Sequence, residues 1–392
     1  MKIITKLPQN INKYDYLFIG SGLSTATVCA TLPADKKILV IEKRPHIAGN
    51  IFDYNEKGIL VHKYGPHIFH TNDEEVFTFL NKFTKFNSYK NVVEAKIDDN
   101  LIPLPININS IKILFPNEAQ EFINYLKSQF PNQEKITILE LSKLDKFQHI
   151  YQTIYNRVFA SYTSKMWNKS IEELDASVFA RVPIYLSERN TYFTDKFEGL
   201  PVEGYTKMVE NMMSSNNIEI IFNTNISEVI NFQKNSIYIE NSKIDIPIIN
   251  CAPIDEIFGY KFGKLTYRSL NIEFETLGVK TLQKTAVVNY PEHISMTRIT
   301  EYKNFYPEKN INIQQTIISK EYPGDFDENS QLFSERYYPI PNDISKDQYS
   351  KYSLEAQNYP NLYHLGRLAK YEYVNMDQIV RKALDFAKKL DK

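Results

Sequence analysis

The residues of this chain whose types and spacing are best suited to chemistry lie between Tyr16 and Glu42. An apolar run, YLFI, leads directly into Gly20-Ser21-Gly22, and helix-forming residues follow. A glycine at position 20 permits a tight turn, and a glycine at position 22 lets backbone N–H groups approach a pyrophosphate at a helix N-terminus. A second buried strand, Lys37 to Ile41, ends at Glu42, 22 residues after Gly20, where dinucleotide-binding units place the acid that binds the ribose. Gly20, Gly22 and Glu42 are therefore predicted to bind a dinucleotide.

One position departs from this G-x-G-x-x-G pattern. Its third glycine is replaced by Thr25, a β-branched residue at a point where close packing of helix on strand is usually required. An ordinary βαβ unit that binds no ligand is therefore the alternative. The distribution of glycine favours binding, because the chain has only 12 glycines and five of them fall at positions 20, 22, 49, 58 and 65.

The composition is that of a soluble globular protein. A chain of 392 residues is long for a single hydrophobic core, so two or three lobes are expected. Hydrophobic residues make up 43%, charged residues 24% and the net charge is −1, which argues against disorder and against a surface for nucleic acid. No segment has the length of a membrane span or the apolar core of a secretion signal. Cys29 and Cys251 show no disulfide or metal spacing, so a cytoplasmic protein without a metal site is expected.

The elements that must position these residues follow a clear order. An α/β segment gives way to a hairpin near 89–106, then to helical periodicity, then to strands separated by aromatic loops, before α/β character returns. This order predicts an α/β fold: a discontinuous Rossmann-like nucleotide-binding domain with an inserted helical lobe and an antiparallel β-sheet domain. The nucleotide-binding domain is predicted to comprise the three segments 14–75, 216–258 and 346–392. Between them are predicted a helical lobe, 76–180, whose hairpin belongs to the sheet domain, a mobile loop with a sheet segment, 181–215, and the sheet domain itself, 259–345.

Several local patterns give sharper predictions. Asn72 or Asp73 is expected to cap a helix, and Asp98-Asp99-Asn100 to form the turn of the hairpin. The run Ile244 to Asn250 is typical of a single strand, and Pro183 of an irregular segment. A closing helix is predicted from about Met376 to Leu390.

A set of short motifs occurs in a fixed order from about Tyr14 to the C-terminal helix. They are YDYLFIGSGL, HKYGPHIFHTND, IPLPININ, YTSKMW, RVP, MTRITEYK, KEYP, YYPI, and GRL followed by YEYVNM. In this order and spacing they resemble the UDP-galactopyranose mutase family, flavoenzymes that interconvert UDP-galactopyranose and UDP-galactofuranose. The resemblance implies FAD as the cofactor, active as reduced FADH−, a nucleotide-sugar substrate of the UDP-galactose type, and a homodimer.

The resemblance also implies roles for individual residues. The implied catalytic residues are two arginines that neutralise the diphosphate, one of them on a mobile loop, and two histidines beside the flavin ring: Arg181, Arg298, His67 and His70. The implied substrate-binding residues are Asn91, Phe159, Tyr162, Thr163, Trp167, Tyr192, Asn289, Glu321, Tyr338 and Tyr373. The implied FAD-binding residues are Gly20, Gly22, Glu42, Gly49, Asn50, Gly366, Arg367, Asn375 and Met376. This set suits a nucleotide sugar, since aromatic rings stack on a base and arginines and phenols bind phosphate oxygens.

The chain departs from the family pattern at several positions near the implied cofactor and base. Like Thr25, the residues Ala48, Ala252 and Ala369 stand where the family usually has glycine. Asn375 replaces an aspartate, and Val158 replaces an aromatic residue that is common beside the uracil. Cofactor affinity and substrate identity are the properties that these changes bring into question.

The expected reaction is a change of sugar ring size without net redox. N5 of reduced FAD attacks the anomeric C1 and displaces UDP, so that no protein side chain has to act as the nucleophile. The alternatives are a related mutase acting on UDP-N-acetylgalactopyranose or a dTDP-6-deoxy sugar, an FAD-dependent oxidoreductase, and a binding or scaffold protein that has lost activity. A hydride acceptor consumed in step with product would identify the oxidoreductase.

Overall fold

A parallel sheet forms the centre of the computed structural model, which describes residues 1–167, 183–215, 217–340 and 342–390. Its six strands, in sheet order, are Lys2–Ile4, Ile218–Ile221, Ile38–Ile41, Tyr16–Ile19, Ile248–Asn250 and Leu362–His364. Every neighbouring pair is parallel. Because these strands come from the start, the middle and the end of the chain, the predicted discontinuous Rossmann-like arrangement is confirmed.

The residues of the central strands alternate between two hydrophobic cores. Phe18 and Val40 belong to one core, together with helices Leu23–Thr31, Tyr205–Met212 and Met376–Leu390. Leu17 and Leu39 belong to the other core, which is covered by helix Asp343–Ala356 and by a three-stranded sheet, Ile230–Gln233, Ser236–Ile239 and Ser242–Ile244. Burial on both faces explains why YLFI and ILVI are continuous apolar runs rather than alternating ones.

A seven-stranded sheet forms the second large unit. Its strands, in sheet order, are Tyr338–Pro339, Tyr267–Leu277, Thr316–Asp325, Arg298–Glu301, Val287–Asn289, Val93–Ile97 and Asn100–Leu104. The last two strands form the predicted hairpin, which turns at Asp98 and Asp99. The sheet is antiparallel apart from one parallel pair, Val287–Asn289 beside Val93–Ile97, because the hairpin is contributed by a distant part of the chain.

A helical lobe is inserted between the hairpin and the rest of this sheet, as predicted. Its helices are Ile108–Leu114, Ala119–Gln129, Ile138–Leu141, Gln148–Ile154, a π-helical turn Tyr155–Ala160, and Ser161–Trp167. Asn107 and Thr137 start two of them with capping boxes. Pro183 begins a short strand, Pro183–Tyr185, paired with Lys135–Thr137, so the prediction of an irregular segment there was wrong. Proline is tolerated because it is the first residue of an edge strand.

The remaining elements connect these units. They are helices Glu74–Leu80, Ile226–Val229 and Ile254–Ile257, short 3-10 helices Ile11–Lys13, Gly49–Ile51 and Tyr302–Phe305, and the strand pairs Asp53–Glu56 with Ile59–His62 and Phe69–Thr71 with Phe197–Gly199. Asp73 caps the first of these helices and the closing helix is Met376–Leu390, as predicted. The predicted strand Ile244 to Asn250 is wrong: it is divided between two sheets. In the described part of the chain, no helix is long and apolar enough to cross a membrane.

Asp53 joins the first strand pair to the helix that begins at Tyr205. Its carboxylate accepts hydrogen bonds from the backbone N–H groups of Tyr205 at 2.6 Å and Thr206 at 2.9 Å. Gly204 leaves room for this contact: a Cβ there would lie 2.7 Å from Asp53 Oδ2, and its φ is +93°. The carboxylate therefore satisfies N–H groups in the first turn of a buried helix.

Replacing Asp53 with alanine should leave those buried N–H groups without partners. We expect Asp53→Ala to lower the free energy of unfolding by about 2 kcal/mol, measured by urea denaturation. Asp99→Ala is the control, since the Asp99 side chain is fully exposed, and it should change stability by less than about 0.5 kcal/mol. Equal stability of the two variants would show that the Asp53 contacts contribute little.

Candidate active site

A cavity of about 750 Å³ lies where the carboxyl ends of the parallel strands face the seven-stranded sheet. Most of the residues predicted for the site line it: Gly20, Gly22, Glu42, Gly49, Asn50, His67, His70, Asn91, Tyr162, Tyr192, Asn289, Arg298, Tyr338, Gly366, Arg367, Tyr373, Asn375 and Met376. In such sheets, ligands usually bind beside the carboxyl ends of the parallel strands. Residues from distant parts of the sequence therefore share one enclosed volume.

The other predicted residues are placed differently. Phe159 and Thr163 line a second cavity of about 80 Å³, which shares Tyr162, Tyr192 and Asn289 with the large one. Glu321 lines neither cavity and lies behind Arg298, so the structure does not place it as a direct substrate ligand. Arg181 and the side chain of Trp167 lie outside the described residues.

The glycine turn at the end of the first strand has the geometry of a phosphate-binding loop. Gly20 has a φ of +91°, which favours glycine. A Cβ added to Gly22 would meet no atom within 4 Å, so this position borders open space, while a Cβ on Gly49 would lie 3.2 Å from the Cα of Gly22. The turn and the Gly49 segment thus approach each other closely and leave the backbone accessible to a ligand, which fits a dinucleotide such as FAD.

Glu42 holds this turn while keeping capacity to bind a ribose. Its buried carboxylate accepts hydrogen bonds from the N–H and Oγ of Ser21, at 2.7 and 2.6 Å, and from the N–H of Arg44 at 2.9 Å. A carboxylate has about four lone-pair positions, so one remains for a sugar hydroxyl.

A charged cluster at the same end of the cavity was not predicted. The buried carboxylate of Glu256 accepts from Arg336 and from Lys43, each at 2.6 Å, and all three residues line the cavity. The side chain of Arg44 is held by Asn50 Oδ1 at 2.9 Å. Lys43 and Arg44 directly follow the predicted ribose-binding residue Glu42, so their place beside the cavity could have been inferred from the sequence. Glu256 and Arg336 lie in distant segments, and no local sequence pattern indicates that they reach the cavity.

The substituted glycine positions differ in their consequences. Thr25 is fully buried, and its hydroxyl donates to the carbonyl oxygen of Gly20 at 2.7 Å, so it stabilises the turn. Ala252 and Ala369 do not have positive φ, but Ala48 has a φ of 72°, in the left-handed region. That conformation costs an alanine roughly 1 kcal/mol relative to glycine.

Arg298 carries a positive charge at the other end of the cavity. Its Nε donates to Glu321 Oε2 at 2.7 Å, and the two residues are direct neighbours on adjacent strands. Burial lowers the pKa of Arg298, but Glu321, Tyr162 and Tyr338 outweigh this effect and raise it. Burial raises the pKa of Glu321, which is 1% exposed, while Arg298 opposes that shift. The terminal guanidinium nitrogens have no hydrogen-bond partner among the described residues, so they are available to an anion.

Tyrosines surround this guanidinium. Burial raises the pKa of Tyr162 and of Tyr192, so both phenols stay protonated and can donate hydrogen bonds. The rings of Tyr338 and Tyr373 lie 5.3 Å apart, and the Arg367 guanidinium lies 5.2 Å from the Tyr338 ring centre. This end of the cavity is therefore suited to a phosphate-bearing ligand.

The two predicted histidines have different environments. Burial, with smaller contributions from His62 and Arg367, lowers the pKa of His67 to about 3, so this residue stays neutral at ordinary pH. Two contacts fix His67. Its ring Nδ1 lies 2.9 Å from the carbonyl oxygen of Gly65, and its backbone N–H donates to His62 Nδ1 at 3.1 Å. His70 instead contacts a carboxylate, that of Asp195, at 3.1 Å.

Lys165 fixes the loop that precedes Arg298. Its ammonium group donates to the carbonyl oxygens of Tyr290, His293 and Met296 at 2.6, 2.8 and 3.0 Å. Tyr162 belongs to the same helix as Lys165. The lysine therefore ties the helix that carries one cavity residue to the loop that leads into another.

Together the parallel sheet, the glycine turn and the cavity are typical of Rossmann-like dinucleotide-binding proteins. A family model for an NAD(P)-binding Rossmann-like domain matches residues 19–83, and a family model described as UDP-galactopyranose mutase matches residues 157–373. The chain is 37% identical over 390 residues to UDP-galactopyranose mutase of Mycoplasma pneumoniae, with 97% of each chain covered. The chain belongs to the UDP-galactopyranose mutase family and is an isomerase.

Two further comparisons bear on substrate and fold. The chain is 31% identical to dTDP-fucopyranose mutase of Escherichia coli, covering 95% of this chain and 97% of that one. A crystal structure of reduced UDP-galactopyranose mutase superposes with a TM-score of 0.68 at 15% identity, covering 96% of this chain and 93% of that one. At this identity the superposition supports the fold alone.

A side chain at position 22 should interfere with the cofactor and not with folding. Because an added Cβ meets no protein atom within 4 Å, we expect Gly22→Ala to keep wild-type stability in urea and to raise the FAD dissociation constant at least about tenfold, or about 1.4 kcal/mol, measured by flavin fluorescence. Gly278→Ala, where an added Cβ also meets nothing within 4 Å, is the control and should bind FAD normally. Unchanged affinity in Gly22→Ala would exclude a phosphate site at this turn.

Proposed function

We propose that this protein interconverts UDP-galactopyranose and UDP-galactofuranose with the help of reduced FAD. The observation that carries the proposal is the partly buried Arg298 guanidinium, whose terminal nitrogens are unpaired among the described residues, in a cavity shared with the glycine turn. A cofactor bound at the turn and a diphosphate bound at Arg298 would lie in one volume. The names and extent of the curated relatives support this reading.

The substrate is proposed to occupy both cavities. The small cavity, lined by Val158, Phe159 and Thr163 among others, suits the base, and Tyr162 and Tyr192 stand where the two cavities meet. Arg298, aided by Arg181 and by the phenols of Tyr338 and Tyr373, would neutralise the diphosphate. Because UDP leaves and returns within one cycle, stabilising its charge is the main electrostatic task of the protein.

If reduced FAD binds at the glycine turn, its N5 would be the nucleophile toward the anomeric C1 of the sugar, and no redox equivalents would be consumed. The chain's own contribution is to hold the glycine turn, Glu42 and Asn50 around the cofactor and to keep the sugar enclosed. We also expect the enzyme to act in the cytoplasm as a homodimer.

A second substrate class is favoured by two observations. A relative named dTDP-fucopyranose mutase is 31% identical over nearly the whole chain. In addition, Val158, which lines the small cavity, is shorter than an aromatic side chain and leaves more room beside the base. A dTDP-linked 6-deoxy sugar is therefore the alternative substrate. UDP-N-acetylgalactopyranose is a third candidate substrate.

Redox state separates a mutase from an oxidoreductase. We expect activity to require dithionite or a flavin reductase, because only the reduced flavin ring has an electron pair on N5 for C1 of the sugar. We also expect no reducing equivalents to be consumed per turnover. Quenching with cyanoborohydride should give flavin with the added mass of one hexose, measured by mass spectrometry, and the added mass will identify the sugar class. Activity with oxidised FAD, or product formed in step with flavin oxidation, would reject the mutase function.

The arginines should be needed for turnover and not for cofactor binding. We expect Arg298→Ala and Arg181→Ala each to lower kcat/KM by about 100-fold or more, with an unchanged visible spectrum. Arg298→Lys should recover only some of the activity, because lysine lacks the planar fork. Arg157→Ala is the control, since Arg157 pairs with Asp98 and Glu292 at the surface. Near-normal activity of Arg298→Ala would remove its assigned role.

A further inference from the structure

A short segment, residues 192–197, covers His70 at the wall of the large cavity. Phe193 stacks on the His70 ring, with centroids 3.8 Å apart and an angle of 13° between the rings. Phe197 stacks in the same way on Phe77, with centroids 4.1 Å apart. Tyr192 is held by its N–H, which donates to the carbonyl oxygen of Asn91 at 2.7 Å. His70, which belongs to the strand Phe69–Thr71, is therefore covered by a well-anchored segment.

A chain of hydrogen bonds within this segment fixes the orientation of each polar group. The N–H of Lys196 donates to Asn72 Oδ1 at 2.9 Å, so the amide nitrogen of Asn72 must point the other way. That nitrogen donates to Asp195 Oδ1 at 3.1 Å, and the second carboxylate oxygen, Oδ2, lies 3.1 Å from His70 Nδ1. An ionised carboxylate can only accept, so His70 Nδ1 carries a hydrogen and donates it. The lone pair of the neutral ring is then on Nε2.

We propose that Asp195 is a positioning residue for His70, holding it in the Nδ1–H tautomer so that Nε2 exchanges a proton with the sugar. The inference rests on the proposed function for the identity of the reaction, and on the geometry for the pairing. The His70 and Asp195 side chains are only 18% and 19% exposed, and His70 lines the cavity. A carboxylate that orients an imidazole through Nδ1 is a recurring arrangement for proton transfer.

The proposed reaction needs one proton to be moved and none to be gained or lost. When the bond from C1 to the pyranose ring oxygen breaks, that oxygen keeps the electron pair. When the C4 oxygen forms its bond to C1, its hydroxyl proton passes to Nε2 of the neutral His70 ring, and Nε2 then gives this proton to the former ring oxygen. Throughout this transfer Nδ1 of His70 has a carboxylate as its partner, that of Asp195. His67 has none, because its ring contacts the Gly65 carbonyl and it lies near Arg298 and Arg367.

Asp195→Asn is an informative change, because it preserves the shape of the side chain and reverses the direction of the hydrogen bond with His70 Nδ1. Asn72 still points its amide nitrogen at position 195, so the oxygen of the new amide must face Asn72. The new –NH₂ group then faces His70 Nδ1, which has to accept, and the hydrogen moves to Nε2. Adding Asn72→Asp should restore the original state. An aspartate at 72 accepts from both sides, which frees the oxygen of the amide at 195 for His70.

The experiment combines histidine NMR with kinetics on the FAD-loaded enzyme. The chain has seven histidines, so ¹⁵N-histidine labelling gives a tractable spectrum, and His70→Gln identifies the His70 signals. We expect Nδ1–H in the wild type, Nε2–H in Asp195→Asn, and Nδ1–H again in the double variant Asn72→Asp/Asp195→Asn. We expect kcat to fall about 100-fold or more in Asp195→Asn, KM to change less than about threefold, and the double variant to recover at least about tenfold in kcat.

The outcomes are distinguishable. Lys196→Gln is the matched control, since the Lys196 side chain is exposed and pairs with Glu74 at the surface, and it should leave kcat and the tautomer unchanged. An Nε2–H signal in the wild type would overturn the pairing. A switched tautomer with normal kcat would overturn the role in proton exchange. A wild type that shows the predicted tautomer and switch but no mutase activity would refute the proposed function and the proton exchange, while leaving the positional assignment of Asp195 supported.

Discussion

The ion pair between the partly exposed Arg298 and the buried Glu321 is the interaction on which the rest of the site depends. An unpaired carboxylate at the position of Glu321, which is 1% exposed, would cost several kcal/mol to desolvate, and Arg298 offsets that cost from the neighbouring strand. The pair is set by sheet register, because Arg298 and Glu321 are direct cross-strand partners. A slip of one residue would turn one of the two side chains to the opposite face of the sheet. The hydrogen-bonded ladder of the sheet thus determines where positive charge is available to a ligand.

The second requirement is that the two large sheets, which contribute to one hydrophobic core, meet at one cavity. The glycine turn belongs to the parallel sheet and Arg298 to the seven-stranded sheet, and neither unit encloses a ligand alone. A specific contact reaches the histidine segment from the end of the Arg298 strand: the hydroxyl of Tyr302 donates to the carbonyl oxygen of His62 at 3.1 Å. His62 in turn accepts from the N–H of His67. The segment that carries the histidines is therefore positioned by the sheet that carries the arginine.

Local features of the fold could be predicted from the sequence, and contacts between distant segments could not. The turn at Gly20, the hairpin at Asp98 and the closing helix depend on a few neighbouring residues, so composition and periodicity were sufficient. Helix Asp343–Ala356 was missed because its exposed apolar residues, Ile344 and Leu354, obscure the helical period. The partners Glu256 with Arg336 and Asp195 with His70 are far apart in sequence, and single residues of these types are usually exposed. Only the folded chain shows which of them are buried together.

Most of the retained and replaced glycine positions are explained by whether the backbone there needs a positive φ or a close approach. Gly20 and Gly49 have positive φ, and Gly49 approaches the Gly22 backbone so closely that a side chain would need the backbone to shift. Thr25 lies within a helix, where no special backbone conformation is required, and its hydroxyl donates to the carbonyl oxygen of Gly20. The substitution thus replaces close packing with a hydrogen bond to the same turn. Glycine has been kept where the backbone conformation or the ligand needs it, and Ala48, in the left-handed region, is the exception among the replaced positions.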